Sequence, residues 1–276
     1  MQQDFSSWLG RSETVHDIVT AAPVAGLAAT FDLADPGQDL PALWHWAYFT
    51  PKPPAHLIGP DGHPKRGDFL PPIPLPRRMW AGGRTWFDSP IRIGDTVSRR
   101  STIQRIDAKQ GRSGTLVFVT LTHEIATPRG VAVREEQDLV FRDNPKPDDP
   151  TPMPSPAPMD ADFSREIVPD PVLLFRYSAL TFNSHRIHYD RPYAMEVEGY
   201  PGLVVHGPLN ATLLLDLVRR ECPGAVVKEF DFKAISPLFD TQSFTICGRR
   251  EADGSVALWS QNHLGHLATR ARALIA

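Results

Sequence analysis

Residues 145–158 read PKPDDPTPMPSPAP, with proline at about every second position. Proline fixes φ and lacks an N–H, so this run forms neither a helix nor a central strand and behaves as a stiff, extended spacer. It falls close to the middle of a 276-residue chain, long enough for two modest units or one large one. A break there points to two units of similar size: residues 1–144 and 161–276, with 145–160 as the linker.

Each side repeats one pattern. In the first, SPIRIGDTVSRRSTIQRID (Ser89–Asp107) leads through a turn at Lys109-Gln110-Gly111 to GTLVFVTLTHEIAT (Gly114–Thr127). Pro128-Arg129-Gly130 then turns the chain into VAVREEQDLVFR (Val131–Arg142). The second side, from Ser236 to Ala276, also opens Ser-Pro, reaches Asp-Thr and runs on as three strand-like segments, with Asp253-Gly254 as a hairpin turn. TLVFVTLTHEI and SVALWSQNHL alternate apolar and polar residues and are rich in β-branched ones, the pattern of half-buried strands. A helix-like segment precedes each meander. GPLNATLLLDLVRR (Gly207–Arg220) has apolar residues at three- and four-residue steps and arginines in its last turn. TVHDIVTAAPVAGLAATFD (Thr14–Asp32) is weaker, interrupted by Pro23 and Gly26. The fold class expected is α+β: an antiparallel sheet wrapped round a helix, used twice, which is a double hot-dog. One short helix cannot cover such a sheet completely, so the halves should pack side by side. The proline-rich stretch from Pro51 to Pro76 is expected to be an ordered loop of the kind that shapes a pocket.

A net charge of -3 gives no reason to expect nucleic acid or an anionic membrane surface as partner. No apolar run approaches the ~20 residues that span a bilayer, and the polar N-terminus lacks the layout of a signal peptide. The two cysteines, Cys222 and Cys247, form no CxxC, so a reducing cytoplasm without structural disulfides is expected. GxSxG, P-loop and GxGxxG motifs are absent from the sequence, which argues against serine hydrolysis and nucleotide cofactors.

The chemistry concentrates in FNSHRIHYD (Phe182–Asp190) and LVVHGPL (Leu203–Leu209). A neutral imidazole at His188 can take a proton from water and return it to carbon near neutral pH, and the Asn183 amide can orient that water. The apolar run then breaks at His206-Gly207 into a helix N-terminus. There a residue without Cβ lets a carbonyl reach free N–H groups. His185, His188, His206 and Asp190 could be read as metal ligands. However, His185 and His188 share a face only if their segment is helical, and it reads as extended, so no metal is expected. Arg176 and Arg186 flank the motif and are the candidates to pair with a substrate carboxylate or with CoA phosphates. Arg77 and Arg78 precede MWAGGR (Met79–Arg84), whose Trp80 and Gly82 are candidates for the pocket wall.

RYSALTFNSHRIHYDRPYA (Arg176–Ala194) with GLVVHGPL (Gly202–Leu209) resembles the hydratase motif of MaoC-like, R-specific enoyl-CoA hydratases. It is most similar to their two-hot-dog branch, which contains mesaconyl-CoA and itaconyl-CoA hydratases and mitochondrial-type 3-hydroxyacyl-thioester dehydratases. RRMWAGGR and the proline-rich divider also fit that branch. The resemblance implies that His188 is the catalytic histidine and that Gly207 donates to the thioester oxygen. It places Asn183 where the wider family has a catalytic aspartate, so that His188 is the principal acid/base, tuned by Asp190. Tyr177 and His206, within the same motifs, are implied to contact substrate. The first half has no such motif and would be a catalytically silent scaffold.

The expected activity is hydration of a branched, unsaturated dicarboxyl-CoA, itaconyl-CoA or mesaconyl-CoA, to citramalyl-CoA. CoA is part of the substrate, no further cofactor is needed, and the protein would be a monomer or homodimer. The alternatives are a 3-hydroxyacyl-thioester dehydratase of fatty-acid synthesis and a non-catalytic acyl-thioester-binding protein.

Overall fold

The computed structural model describes residues 4–34, 36–111, 114–144 and 153–276. The first part of the expected linker, 145–152, lies outside them, as do 112–113; Lys109-Gln110-Gly111, expected as a turn, instead end a strand. Among the described residues ten antiparallel strands form one sheet in the order β1-β3-β4-β5-β2-β7-β10-β9-β8-β6. Five come from the first half: β1 (Ser12–Ile18), β2 (Arg77–Phe87), β3 (Thr96–Gly111), β4 (Gly114–Thr127) and β5 (Gly130–Arg142). The second half supplies β6 (Phe163–Ile167), β7 (Val227–Ala234), β8 (Phe244–Arg250), β9 (Ser255–Asn262) and β10 (Leu267–Ile275). The halves meet where β2 pairs with β7, from Gly82 opposite Lys233 to Trp86 opposite Glu229. The expected double hot-dog is thus a single curved sheet with a seam. Ser155 and Ala157, assigned to the linker from sequence, bond to the backbone of Leu267 and Gly265 and dock on the second half.

The described residues include three α-helices, α1 (Ala21–Thr30), α2 (Pro171–Leu180) and α3 (Gly207–Glu221), of which α1 and α2 pack on each other. Every residue of α3 from Leu209 to Val218 is buried, which a helix achieves only when surrounded, and α3 packs on β6, β8, β9 and β10. Asn210 ties its first turn to the sheet through Ser260 Oγ (2.8 Å) and Thr269 Oγ1 (2.9 Å). At its other end the buried Asp216 carboxylate holds Arg220 (2.8 Å) and Arg165 (3.2 Å).

The first half departs from the expected copy. The helix drawn over Thr14–Asp32 is instead β1 followed by α1. Pro23 falls in the first turn of α1, where its missing N–H is not needed. Among the described residues no α-helix follows between α1 and β2, where the second half has both α2 and α3. Buried side chains from irregular chain fill that space instead. Leu43, Trp44, Tyr48 and Phe49 join the main core with Val24 and Leu27 of α1, and Ile73 packs with Ile103, Val119, Leu121 and Phe141.

Candidate active site

The halves enclose a cleft of about 2260 Å³ that runs from β3, β4 and β5 of the first half to the start of α3 in the second. The motif residues reach it through a helix that the sequence reading missed. The Asp170 side chain caps α2 by accepting from Leu173 N (2.8 Å), and Pro171 opens it. The helix closes with Asn183 N–H bonded to Ser178 O and Phe182 N–H to Ala179 O, a Schellman ending. Its left-handed residue is Phe182, at φ 50°, where glycine is usual. The extended reading of this segment is therefore corrected: α2 is followed by a 3-10 turn over Arg186–His188. Tyr177 and Ser178 face inward from α2, whereas Arg176 points to solvent and does not line the cleft.

His188 is buried, and its Nδ1 lies 2.7 Å from the Val204 carbonyl. A carbonyl only accepts, so Nδ1 carries the proton and Nε2 keeps its lone pair. Burial pulls the His188 pKa down to about 4, against the bond to Val204, which raises it. The imidazole is thus a neutral base at physiological pH. His206 stacks on it at 3.7 Å between ring centroids, bonds Ser178 Oγ through Nε2 (2.8 Å) and meets Tyr177 edge-on. Burial and the nearby His188 hold His206 neutral too.

Asn183 Oδ1 accepts from the His185 backbone N–H (3.0 Å), which fixes the amide orientation and leaves its NH₂ as a donor. Gly207 lines the cleft as the first residue of α3, and no acceptor among the described residues takes its N–H. A Cβ there would meet nothing nearer than the Trp80 carbonyl oxygen at 4.0 Å. Trp80 lines the cleft and packs edge-on against Trp46, 4.9 Å between centroids.

Three more of the expected site residues, Arg186, Asp190 and Gly82, lie outside the cleft lining. Arg186 and Asp190 pair with each other (2.7 Å), Arg186 lies over the Tyr193 ring, and neither lines the cleft. Asp190 therefore does not tune His188; the Val204 carbonyl occupies the ring nitrogen it would have used. Gly82 sits on the β2–β7 seam and borders a separate groove of about 560 Å³. The metal set His185, His188, His206 and Asp190 is not assembled, since Asp190 turns to Arg186.

The Pro51–Pro76 loop does shape the pocket, and it brings residues the sequence reading did not single out. Gly62, at φ 89°, lies so close to Ser184 O that a Cβ would sit 1.8 Å from it. Ser184 Oγ donates to Gly62 O (2.6 Å), and Arg186 N–H donates to Asp61 O. This docking sets the His63 ring against that of His185, with centroids 4.0 Å apart and the planes tilted by 38°. His185 in turn meets His188 edge-on at 5.3 Å. Burial drives the His185 pKa down to about 2, and burial followed by the Arg78 charge lowers that of His63. Asp61 accepts from the His63 ring (2.9 Å); burial opposes its ionisation, but His63 holds it well below the carboxylate range. Ligand atoms of Asp61, His63 and His185 lie within 4.8 Å of one another, but the Arg78 cation acts on both imidazoles and disfavours a second cation there. In the first half, His45 and Trp46 bond the buried Glu135 carboxylate (2.9 and 3.0 Å), and His123 bonds Ser101 (2.9 Å). Cys222 and Cys247 are unpaired. No helix among the described residues is long and apolar enough to cross a membrane.

A neutral imidazole with a free Nε2, an oriented amide and a helix N-terminus in one cleft, on a double hot-dog, define the hydratase/dehydratase class of thioester enzymes. The chain belongs to the hydroxyacyl-thioester dehydratase type 2 family, which it matches over residues 43–240. It is 48% identical over 255 residues to the mesaconyl-C(4)-CoA hydratase of Chloroflexus aurantiacus, covering 91% of this chain and 90% of that one. The mitochondrial hydroxyacyl-thioester dehydratase type 2 of Schizosaccharomyces pombe is 27% identical, with 84% and 88% covered. In fold it is similar to a MaoC-like dehydratase (TM-score 0.70, 13% identity, 97% and 98% covered). It is also similar to HtdX of Mycobacterium tuberculosis (TM-score 0.66, 20% identity, 95% and 99% covered).

Proposed function

We propose that this enzyme hydrates a methyl-branched, unsaturated dicarboxyl monothioester of CoA, with mesaconyl-C4-CoA giving citramalyl-CoA as the favoured pair. The observation that carries this reading is the 48% identity to a mesaconyl-C(4)-CoA hydratase over nine-tenths of both chains. Gly207 N–H holds the thioester oxygen. A water accepts from the Asn183 NH₂ and donates to His188 Nε2, leaving its second lone pair for the β-carbon. As that C–O bond forms, His188 takes the water proton and the alkene electron pair moves into an enolate whose oxygen rests on Gly207 N–H. His188 then returns the proton to the α-carbon. The sum is H and OH added, with no cofactor consumed, and a single base delivers both to the same face. Enolate formation needs a double bond conjugated to the thioester. Mesaconyl-C4-CoA has one and itaconyl-CoA does not, so the latter is the poorer substrate in this scheme.

Hydration of mesaconyl-C4-CoA, itaconyl-CoA and crotonyl-CoA, followed by loss of enoyl-thioester absorbance and by mass spectrometry, tests the reading. Mesaconyl-C4-CoA should be preferred by at least about 100-fold in kcat/KM. A preference for crotonyl-CoA would move the protein to straight-chain 3-hydroxyacyl thioesters. Binding without turnover would make it an acyl-thioester-binding protein.

A further inference from the structure

We propose that Arg78 is the specificity residue that grips the substrate's free carboxylate. The inference rests on the dicarboxyl reading above and replaces Arg176 and Arg186, which lie outside the cleft. Most other cationic side chains that line the cleft are already engaged. Arg66 donates to the Ile73 and Pro76 carbonyls (2.6 and 2.7 Å), and Lys65 to His56 O (2.9 Å). Arg77 pairs with Glu198 (3.1 Å). Arg99 also lacks a hydrogen-bond or ion-pair partner among the described residues, its buried Nε included, but it lies over the Phe49 ring in the field of two carboxylates, Glu135 and Glu13, and serves as the control.

Arg78 is partly buried in the wall and lines the cleft, yet it has no hydrogen-bond or ion-pair partner among the described residues. The Asp61 carboxylate acts on it through space but bonds His63 instead, Oδ1 accepting from the His63 backbone N–H and Oδ2 from its ring. His63 and His185 beside it are held neutral, and Arg66 adds like charge. Burial pulls the Arg78 pKa down to about 10, so it stays charged at neutral pH. A guanidinium kept in a wall without a counter-ion is poised for an anionic ligand, and its planar fork matches a carboxylate with two parallel hydrogen bonds.

Position agrees with charge. In mesaconyl-C4-CoA the free carboxylate is attached to the carbon that receives water, so it must lie beside the water on His188. Arg78 lines the same cleft as His63, His185 and His188, and His185 is the ring that lies between His63 and His188, in contact with both.

The test measures kcat/KM of purified Arg78→Met, Arg78→Lys and Arg99→Met proteins for mesaconyl-C4-CoA and for crotonyl-CoA, which lacks the carboxylate. In Arg78→Met the mesaconyl-to-crotonyl ratio should fall by at least about 100-fold, mainly through KM. Arg78→Lys, which keeps the charge and loses the fork, should fall by about tenfold, and Arg99→Met should keep the wild-type ratio. Loss of both activities in parallel, with the ratio unchanged in both Arg78 variants, would overturn the proposal, because Arg78 would then serve something the two substrates share. A ratio that falls in Arg99→Met and not at Arg78 would also overturn it. Failure of the underlying reading is separate: it shows in the wild-type protein as an absence of any preference for mesaconyl-C4-CoA.

Discussion

The second half wraps its strands around α3, whereas the first half holds only α1 and irregular chain against its own. Both solutions bury a core: Leu214 and Leu217 of α3 are as inaccessible as Leu43 and Trp44 of the irregular segment. They differ in what they leave at the cleft. A helix ends in free N–H groups that can stabilise negative charge. The irregular chain presents rings and a closed polar cluster around Glu135, in which the carboxylate is already bonded by His45 and Trp46. Filling a sheet is thus a less demanding task than equipping it for chemistry, and a half that needs only the first can lose its helix.

The largest expected effect separates the two halves chemically. His188→Ala should lower kcat by about 10³-fold, while His123→Ala on β4 should cost less than about tenfold. Equal losses would break the assignment of chemistry to the second half. Core truncations compare the two ways of filling. Trp44→Ala and Leu214→Ala should each destabilise by about 3–4 kcal/mol in urea unfolding, and a negligible cost at Trp44 would mean that the irregular segment is not a true core. Gly207→Ala should fold normally, because the new Cβ meets only Trp80 O at 4.0 Å. Its activity should nonetheless fall about 10²-fold, since a methyl group now stands where the thioester oxygen approaches.

The smallest effect is in pH. With the His188 pKa near 4, the acid limb of kcat/KM should fall between pH 4 and 5 rather than near the usual imidazole value of ~6.5. A limb at pH 6.5 would mean that the ring is hydrated. Stability follows the same sign. His63, His123, His185, His188 and His206 all have folded pKa values held below the free value. Below about pH 6.5 the unfolded chain therefore binds protons that the folded one refuses. The melting temperature should decline progressively as pH drops from 7 toward 4.

Local pattern made the meanders legible: alternation marks β4 and β9, and Asp253-Gly254 marks the β8–β9 turn. The α3 boundaries were also readable from the break at Gly207 and the closing arginines. What failed was helix α2, because its last turn ends on Phe182 in the left-handed region without the glycine that would have announced it. Strand β2 was read only as pocket wall, since the register shift between Trp80 and Gly82 breaks the two-residue alternation. In the site, His188, Asn183, His206 and Gly207 lie within one stretch of chain and were found together. Arg176, Arg186 and Asp190 were proposed for being their neighbours in sequence, but one residue along a helix turns a side chain by about 100°. Arg176 therefore faces water while Tyr177 faces the cleft. His63 comes from a loop more than a hundred residues upstream, and the contacts of Asp61 and Gly62 with Ser184 and Arg186 bring it in.

The seam between the halves limits which halves can be exchanged. A Cβ at Gly82 would stand 2.5 Å from Phe232 O, and one at Gly83 would stand 2.8 Å from Glu136 O. Neither clash is with a side chain that could step aside. The Gly-Gly step therefore fits the particular strands that flank it, β5 on one side and β7 on the other. A recombinant that joins this first half to the catalytic half of a relative would inherit the requirement. The foreign β7 must approach bare backbone at the same height, or the ten strands separate into two fives. The two glycines thus set which grafts between relatives can succeed.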